Sequence, residues 1–259
     1  MTGTLALVGS GAYLEVMETV DRRLLSELQR GDAPHVVCVP TATAQRGWRK
    51  INEYAELGMA HFERLGARVS VAFVTDRDSA HELRWAALLR DADLIYFTGG
   101  NPLYLYRTLE DTPAWEALQS AWKRGATLVG CSAGAMVMGQ NIVMRMFNFR
   151  FTPAFGLLPK CIVWPHFNLP VFRRISSKLV RSLLTDEMYA LGVDEDTAVF
   201  GKIGQEWEIG GVGDVCILTR DHSTIYSPGS RFTLPAFAGE LEAPMELGTL
   251  TRRRHSTTP

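Results

Sequence analysis

The sequence predicts an α/β fold in three layers, in which a mostly parallel central sheet has helices on both faces and an antiparallel C-terminal edge. Up to about residue 150, short apolar runs rich in β-branched residues alternate with longer segments of helical period. Glycine or proline ends most of these runs, as is typical of βα units on a parallel sheet. Beyond that point the strands become short and are separated by turns that contain glycine.

Strands and helices alternate along the first half of the chain. The predicted strands cover residues 5–8, 35–39, 67–74, 94–97 and 127–130. The predicted helices between them cover residues 14–28, 51–65, 80–89 and 114–123. Ligands bind where loops leave the carboxyl ends of parallel strands. We therefore expect the two glycine-rich strand exits, at Gly99 and Gly130, to lie near each other and to form the functional site.

The second half of the chain has a different pattern of predicted helices and strands. Residues 162–164 form a short predicted strand before Pro165, and residues 171–184 form a predicted helix with a basic face. A further strand covers residues 189–193. The last predicted strands cover residues 198–200, 207–209 and 215–218. Their short lengths and glycine-containing turns predict an antiparallel meander that completes one edge of the sheet.

Length and charge limit the classes of partner. The chain has 259 residues, of which 46% are hydrophobic, and this is enough to bury a full core. We expect one α/β domain over residues 1–250 and a disordered tail over residues 251–259. The 27 basic and 28 acidic side chains give a net charge of −1, so no global field attracts nucleic acid or an anionic membrane. A small or neutral partner is therefore expected.

Cysteine spacing and hydropathy point to the cytoplasm. The four cysteines stand far apart without a C-x-x-C pair, which argues against a zinc site and against a disulfide framework. No apolar run approaches the roughly 20 residues that a membrane helix needs. The first eight residues lack the basic region and the long apolar region of a signal peptide. We expect a cytoplasmic protein.

A candidate nucleophile follows the predicted strand 127–130. Gly130-Cys131-Ser132-Ala133-Gly134 fits the G-x-S-x-G nucleophile elbow, in which serine occupies a strained strand-to-helix turn and the flanking glycines avoid clashes. The alternative is a tight turn with a capping serine. A catalytic Cys131 would place branched Val129 where the elbow needs a small residue, so we interpret Cys131 as a core residue.

A catalytic serine also needs a base and an acid that orients the base. Of the six histidines, His166 follows a predicted strand in Trp164-Pro165-His166-Phe167, and His222 lies in a polar turn. Glu195, which follows the strand 189–193, is the simplest orienting acid. The order Ser132, Glu195, His222 would suit an α/β-hydrolase. That alternative leaves the glycines after residue 98 and the segment around His166 without a role.

Four motifs in order carry a family resemblance. They are Thr98-Gly99-Gly100-Asn101, Gly130 to Ala135, Pro165-His166-Phe167, and Gly192 to Ala198. Together they closely resemble peptidase family S51, the family of aspartyl dipeptidase (peptidase E) and cyanophycinase. The resemblance implies a class I glutamine amidotransferase-like, flavodoxin-like fold. It also implies Ser132 as nucleophile, His166 as general base and Glu195 as its orienting acid, with an oxyanion hole formed by the N–H groups of Gly100 and Ala133.

The same resemblance implies a reaction and a substrate class. The reaction is hydrolysis of short peptides or isopeptides, with an α- or β-linked aspartyl residue, through an acyl-enzyme and without a metal or an organic cofactor. Asn101 and Arg173 are the candidate substrate-binding residues, and Arg174 and Lys178 lie close to Arg173 in the sequence. Cyanophycinases have a further arginine where this chain has Ile175, which argues against cyanophycin as the substrate.

Several alternatives remain open at this level. An esterase could use Ser132, Glu195 and His222, and a binding module could retain the scaffold without turnover. Gly9-Ser10-Gly11 follows the first strand as a dinucleotide loop does, but Leu14 replaces the third glycine, which favours a plain loop near the site. The expected assembly is a monomer or a homodimer.

Overall fold

A computed structural model describes residues 2–28, 33–144, 150–168 and 175–234. The strands are β1 Leu5–Val8, β2 His35–Val39, β3 Arg68–Val71, β4 Leu94–Phe97, β5 Thr127–Cys131, β6 Asn141–Val143, β7 Phe151–Pro153, β8 Cys161–Trp164, β9 Tyr189–Val193, β10 Thr197–Gly201, β11 Glu206–Gly211, β12 Val215–Leu218, β13 Ser223–Tyr226 and β14 Arg231–Thr233. The α-helices are α1 Glu18–Ser26, α2 Trp48–Arg64, α3 Arg77–Ala80, α4 Leu83–Arg90, α5 Pro102–Leu109, α6 Pro113–Lys123, α7 Ala133–Met136 and α8 Ile175–Leu183. Two 3₁₀ helices cover Glu15–Met17 and Thr41–Arg46.

The largest sheet has eight strands in the order β14-β11-β10-β1-β5-β4-β2-β3. Strands β1, β5, β4, β2 and β3 are consecutive in this order, and each pairs in parallel with the next. Strands β10, β11 and β14 pair antiparallel and complete the other edge. The predicted mostly parallel sheet with an antiparallel C-terminal edge is confirmed.

Alternation along the central strands separates two layers of core. In β1, Leu5 and Leu7 face a cluster that includes buried residues of α4, α5 and α6. Ala6 and Val8 face the opposite cluster, which includes residues of α1 and α2. Because successive side chains of a strand point to opposite faces, this sheet is covered by helices on both faces. The three-layer arrangement predicted from the sequence is therefore confirmed.

A second sheet carries two of the predicted site segments. Its four strands have the order β13-β12-β9-β8, and β8 and β9 run parallel. The predicted meander is wrong for Val215–Leu218, because β12 pairs with β9 and not with β11. All four residues of β12 are buried. Val215 and Ile217 pack in the main core, while Cys216 and Leu218 pack in a separate cluster with α8. Because β12 is buried on both faces, it occupies an interior position of its sheet, between β13 and β9.

Helix boundaries differ from the predicted ones where local capping intervenes. The helix expected over residues 80–89 is divided, because Asp76 caps α3 through its side chain and α4 starts only at Leu83. Asn101 and Pro102 start α5, a helix that the sequence analysis did not identify. Residues 171–174 of the predicted basic helix and the tail 251–259 lie outside the described residues. No helix in the described ranges has the length and apolar character needed to cross a membrane.

Candidate active site

Ser132 occupies the sharp turn between β5 and α7. Its backbone lies at φ 52° and ψ −107°, a strained conformation for a residue with a side chain. A Cβ on Gly130 would lie 2.3 Å from the carbonyl oxygen of Gly134, and a Cβ on Gly134 would lie 2.7 Å from the Cβ of Phe97. Ser132 N–H also donates to the carbonyl oxygen of Val8, at 2.8 Å. Both flanking glycines are therefore required by close backbone packing at the elbow.

A chain of hydrogen bonds joins Ser132, His166 and Glu195. Ser132 Oγ lies 2.9 Å from His166 Nε2, and His166 Nδ1 lies 2.8 Å from Glu195 Oε1. Strands β8 and β9 are parallel neighbours with Trp164 opposite Gly192, so the residues just beyond their carboxyl ends come together. The structure thus brings the three residues of the predicted triad into contact in the predicted order.

The His166–Glu195 pair is only partly shielded from solvent. The side chains of His166 and Glu195 are 36% and 35% exposed, so a substrate in solution can reach them. An imidazole with its proton on Nδ1 donates a hydrogen bond to Glu195 and leaves the Nε2 lone pair for the serine hydroxyl. The geometry therefore matches a serine–histidine–carboxylate triad.

The glycine-rich exit of β4 lies against the elbow. A Cβ on Gly99 would lie 3.3 Å from the Cβ of Ser132. Gly100 has φ +149°, and a Cβ there would lie 2.1 Å from the carbonyl oxygen of Ala42. Within the described part of the chain, the N–H groups of Gly100 and Ala133 donate to no acceptor. Both groups are therefore available to an oxygen bound beside Ser132.

Asn101 has structural partners for its side chain. Asn101 Oδ1 accepts from Tyr104 N–H at 3.1 Å and so caps α5, and Asn101 Nδ2 donates to Gln45 Oε1 at 2.7 Å. Arg173, the other candidate substrate-binding residue, and its neighbour Arg174 lie outside the described residues. Lys178 lies on α8 and is exposed. Of these four residues, Asn101 is the one that directly follows the two glycines, Gly99 and Gly100, after β4.

The competing residues lie elsewhere or are chemically unsuitable. His222 is exposed in the turn between β12 and β13, where its N–H donates to Thr219 Oγ1. No hydrogen bond among the described residues joins the His222 side chain to Ser132 or Glu195. Cys131 is 3% exposed, and burial raises the pKa of its thiol to about 12. The thiol is therefore protonated at neutral pH and is a poor nucleophile.

The loop after β1 supports the site. Gly9 N–H donates to the carbonyl oxygen of Thr197 at 2.9 Å, and Asp196 N–H donates to Ser10 Oγ at 3.3 Å. A Cβ on Gly11 would lie 2.4 Å from Asp196 Oδ1. These contacts hold the loop that carries Glu195. They fit the expectation of a plain strand-exit loop near the site.

Two residues that the sequence analysis did not identify contact the Glu195 backbone. Asn168 Oδ1 accepts from Glu195 N–H at 3.1 Å, and Thr197 Oγ1 donates to the Glu195 carbonyl oxygen at 2.9 Å. Asparagine and threonine commonly bind nearby loop backbone through their side chains. Apart from their places two residues after His166 and two after Glu195, no sequence pattern distinguishes them from other loop residues.

The family follows from a comparison with known proteins. The model of peptidase family S51 matches residues 5–206. This chain belongs to that family. The match confirms the family predicted from the four motifs. It also covers Ser132, His166 and Glu195.

Similar proteins agree with this assignment. Cyanophycinases of Trichormus variabilis and of a Nostoc species are each 31% identical over 170 residues, covering 61% of this chain and 55% of theirs. The chain thus spans just over half the length of these curated relatives. An uncharacterized peptidase of Listeria innocua is 31% identical over 158 residues, or 56% of this chain and 70% of that protein.

Solved structures show the same fold. A peptidase from an acI-B1 Actinobacterium superposes with a TM-score of 0.81 at 33% identity, covering 90% of this chain and 98% of that one. A Listeria monocytogenes protein described as a peptidase E gives a TM-score of 0.61 at 24% identity, which bears on the fold alone. The fold class predicted from the sequence is consistent with both neighbours.

Proposed function

We propose that this S51 protein is a serine peptidase that hydrolyses short peptides or isopeptides through an acyl-enzyme on Ser132. The observation that carries the proposal is the continuous chain of hydrogen bonds from Ser132 Oγ through His166 to Glu195, with distances of 2.9 and 2.8 Å. The strained elbow presents the serine, and the partly exposed imidazole of His166 provides a base beside it. Family membership supports the same reaction class.

In the first half of the reaction, Ser132 Oγ attacks the scissile carbonyl carbon while His166 Nε2 takes its proton. The protonated imidazole is stabilised by Glu195, which accepts the Nδ1–H. His166 then gives the proton to the leaving amine, and the C–N bond breaks. In the second half, water attacks the acyl ester with His166 again as base, and Ser132 is regenerated. General base catalysis of this kind contributes about 10²–10⁴-fold.

The oxyanion of the tetrahedral intermediate is bound by backbone N–H groups in this proposal. The N–H groups of Gly100 and Ala133 have no acceptor within the described residues. Because neither Gly99 nor Gly100 has a side chain, substrate can approach the serine closely from this side. Removal of one oxyanion-hole donor typically costs about 10²–10³-fold in kcat.

An aspartyl residue, α- or β-linked, is the proposed substrate feature. Asn101 and Arg173 would bind the carboxylate of such a residue, as the family resemblance implies. In the structure Asn101 Nδ2 already donates a hydrogen bond to Gln45 Oε1. The Asn101 amide that would contact the substrate is therefore held in a fixed orientation. Ile175 stands where cyanophycinases have an arginine, which favours small aspartyl peptides over cyanophycin itself.

A substrate panel tests this function. Hydrolysis of α-Asp-X, β-Asp-X and β-Asp-Arg dipeptides and of a simple ester is measured for wild type, Ser132→Ala, His166→Ala and His222→Ala. We expect loss of activity in the first two variants and retention in His222→Ala, and the preferred dipeptide identifies the linkage. Ester cleavage that survives His166→Ala and disappears in His222→Ala would instead support the α/β-hydrolase arrangement.

A further inference from the structure

The loop that carries His166 is attached to the loop that carries Glu195 at successive residues. Phe167 N–H donates to the carbonyl oxygen of Val193 at 3.0 Å, which extends the β8–β9 pairing beyond the strands. The Phe167 ring packs over Gly192, where a Cβ would lie 2.6 Å from Phe167 Cγ. Asn168 Oδ1 then accepts from Glu195 N–H at 3.1 Å. The two loops are thus held together from Gly192 to Glu195.

The Glu195 backbone is fixed by side chains on both of its peptide groups. Asn168 Oδ1 binds its N–H, and Thr197 Oγ1 donates to its carbonyl oxygen at 2.9 Å. Thr197 Oγ1 also accepts from Gly213 N–H at 2.8 Å, which ties the same peptide to the turn before β12. Thr197 is fully buried, whereas Asn168 is partly exposed, so Asn168 is the contact that can be removed with less disturbance of the core.

The Glu195 side chain has little else to orient it. It is 35% exposed, and within the described residues His166 Nδ1 is the one hydrogen-bond partner of its carboxylate. The carboxylate of a glutamate lies several bonds away from its backbone, so a small rotation of the peptide moves the carboxylate by a larger distance. The next residue, Asp196, has φ +53°, a conformation that is unfavourable without support from its surroundings.

We infer that Asn168 is a positioning residue of this site, which holds the Glu195 peptide so that the carboxylate faces His166 Nδ1. The inference rests on the proposed function, because it assigns Asn168 a role through the Glu195–His166 pair. Asn168 and His166 lie two residues apart on one loop. The same loop therefore carries the base and fixes the position of the acid that orients the base. Asn168 itself contacts neither Ser132 nor substrate in this account.

The test measures Ser132 reactivity without assuming a substrate. The rate of phosphonylation by a fluorophosphonate is measured by intact mass for wild type, Asn168→Ala and Asn168→Asp, together with kcat and KM on the preferred dipeptide. Asn168→Ala removes the acceptor, and we expect labelling and kcat to fall by about 10–100-fold because misplacement of supporting groups costs this much. KM should stay within about twofold. Asn168→Asp retains an oxygen acceptor and should recover most of the rate.

A double-mutant cycle separates positioning from a general structural role. In a Glu195→Gln background, Asn168→Ala should cause no further loss of labelling rate, because it acts through the residue already replaced. Asn52→Ala, at an exposed position of α2, is the matched control and should label as wild type. Circular dichroism and thermal unfolding of each variant allow the rates to be compared at equal folded fraction.

Three results would overturn the inference. They are a wild-type labelling rate in Asn168→Ala, a full additional loss in the Glu195→Gln background, and no recovery in Asn168→Asp. Labelling of Ser132→Ala at the wild-type rate would instead contradict the proposed function. Ser132→Ala that fails to label, together with Asn168→Ala that labels normally, would contradict the positioning role alone.

Discussion

Asp21 of α1 and His61 of α2 form a buried hydrogen-bonded pair, with Asp21 Oδ2 2.8 Å from His61 Nε2 and side chains only 3% and 2% exposed. The pair joins two helices on the face of the sheet opposite α4, α5 and α6. It lies against the aromatic rings of Tyr13 and Phe62, with ring centroids 6.0 and 5.0 Å from that of His61. The site residues do not contact it, so it is a structural element whose energetics can be tested separately.

Removal of one member of this pair should be costly. In His61→Leu, Asp21 stays buried without its hydrogen-bond partner, and a buried polar group left unsatisfied typically costs about 1–3 kcal/mol, and more if it is charged. The double variant Asp21→Leu/His61→Leu leaves no isolated polar group, so it should recover much of that free energy of unfolding. Urea unfolding of the three proteins measures this. Equal loss in the single and double variants would show that the packing volume of the two side chains matters more than the unsatisfied polar group.

The pH dependence of stability should also report Asp21. Burial raises the pKa of Asp21, and its hydrogen bond with His61 only partly opposes this. A carboxyl group whose pKa is raised on folding contributes stability below its ordinary pKa of about 4, and this contribution is lost as pH rises through the raised value. We therefore expect the free energy of unfolding of wild type relative to Asp21→Asn to decrease as pH rises through this window.

Glu18 provides a comparison of opposite sign. Hydrogen bonds from Arg64 and Arg22 lower the pKa of Glu18, so its contribution is present above its ordinary pKa and is lost as pH falls. Glu18→Gln should therefore differ most from wild type at neutral pH. Both arginine partners are about half exposed to solvent, which makes the effect small. The same trend with pH in both variants would contradict the burial argument for Asp21.

The sequence was most informative where a motif needs a particular backbone. Gly130 and Gly134 identify the elbow because no side chain fits at either position. His166 and His222 could not be separated by sequence order, because both follow short strands. The parallel pairing of β8 with β9 places His166 beside Glu195, and strand pairing across the second sheet is not visible in a linear pattern.

Other features depended on contacts distant in sequence. The β12 segment was predicted as a meander strand because it is short and follows a glycine-containing turn. In the fold it is buried on both faces and pairs with β9. Asn101 was predicted as a substrate-binding residue from the family resemblance. Its role as the N-cap of α5 was also indicated by Pro102 at the start of that helix. Asn168 was not identified because a loop asparagine has no distinctive spacing, and its partner Glu195 is on another strand exit.

A methyl group at the elbow should disrupt the site more than one at a strained but open turn. Gly134→Ala places a Cβ 2.7 Å from Phe97 Cβ, and we expect several kcal/mol of destabilisation with loss of Ser132 labelling. Gly204→Ala is the matched control, since Gly204 has φ +77° with open space around it. It should cost only about 1–2 kcal/mol. Thermal unfolding and fluorophosphonate labelling measure both effects, and equal losses in the two variants would argue against steric packing at the elbow.

The cysteine beside the nucleophile should be inert. Burial raises the pKa of Cys131 to about 12, so iodoacetamide at pH 8 should leave it unmodified in the folded protein. Cys131→Ala should keep the labelling of Ser132. In urea all four cysteines should react, which provides the control. Rapid alkylation of Cys131 in the native state, with parallel loss of hydrolysis, would point to a thiol nucleophile instead.

The most direct test of the account is the rate at which a fluorophosphonate labels the protein, followed by peptide mapping of the adduct. We expect a single adduct on Ser132, no adduct in Ser132→Ala, a rate at least about 10³-fold lower in His166→Ala, and a wild-type rate in His222→Ala. An adduct that persists in Ser132→Ala, or labelling that survives His166→Ala and disappears in His222→Ala, would contradict the proposed catalytic site.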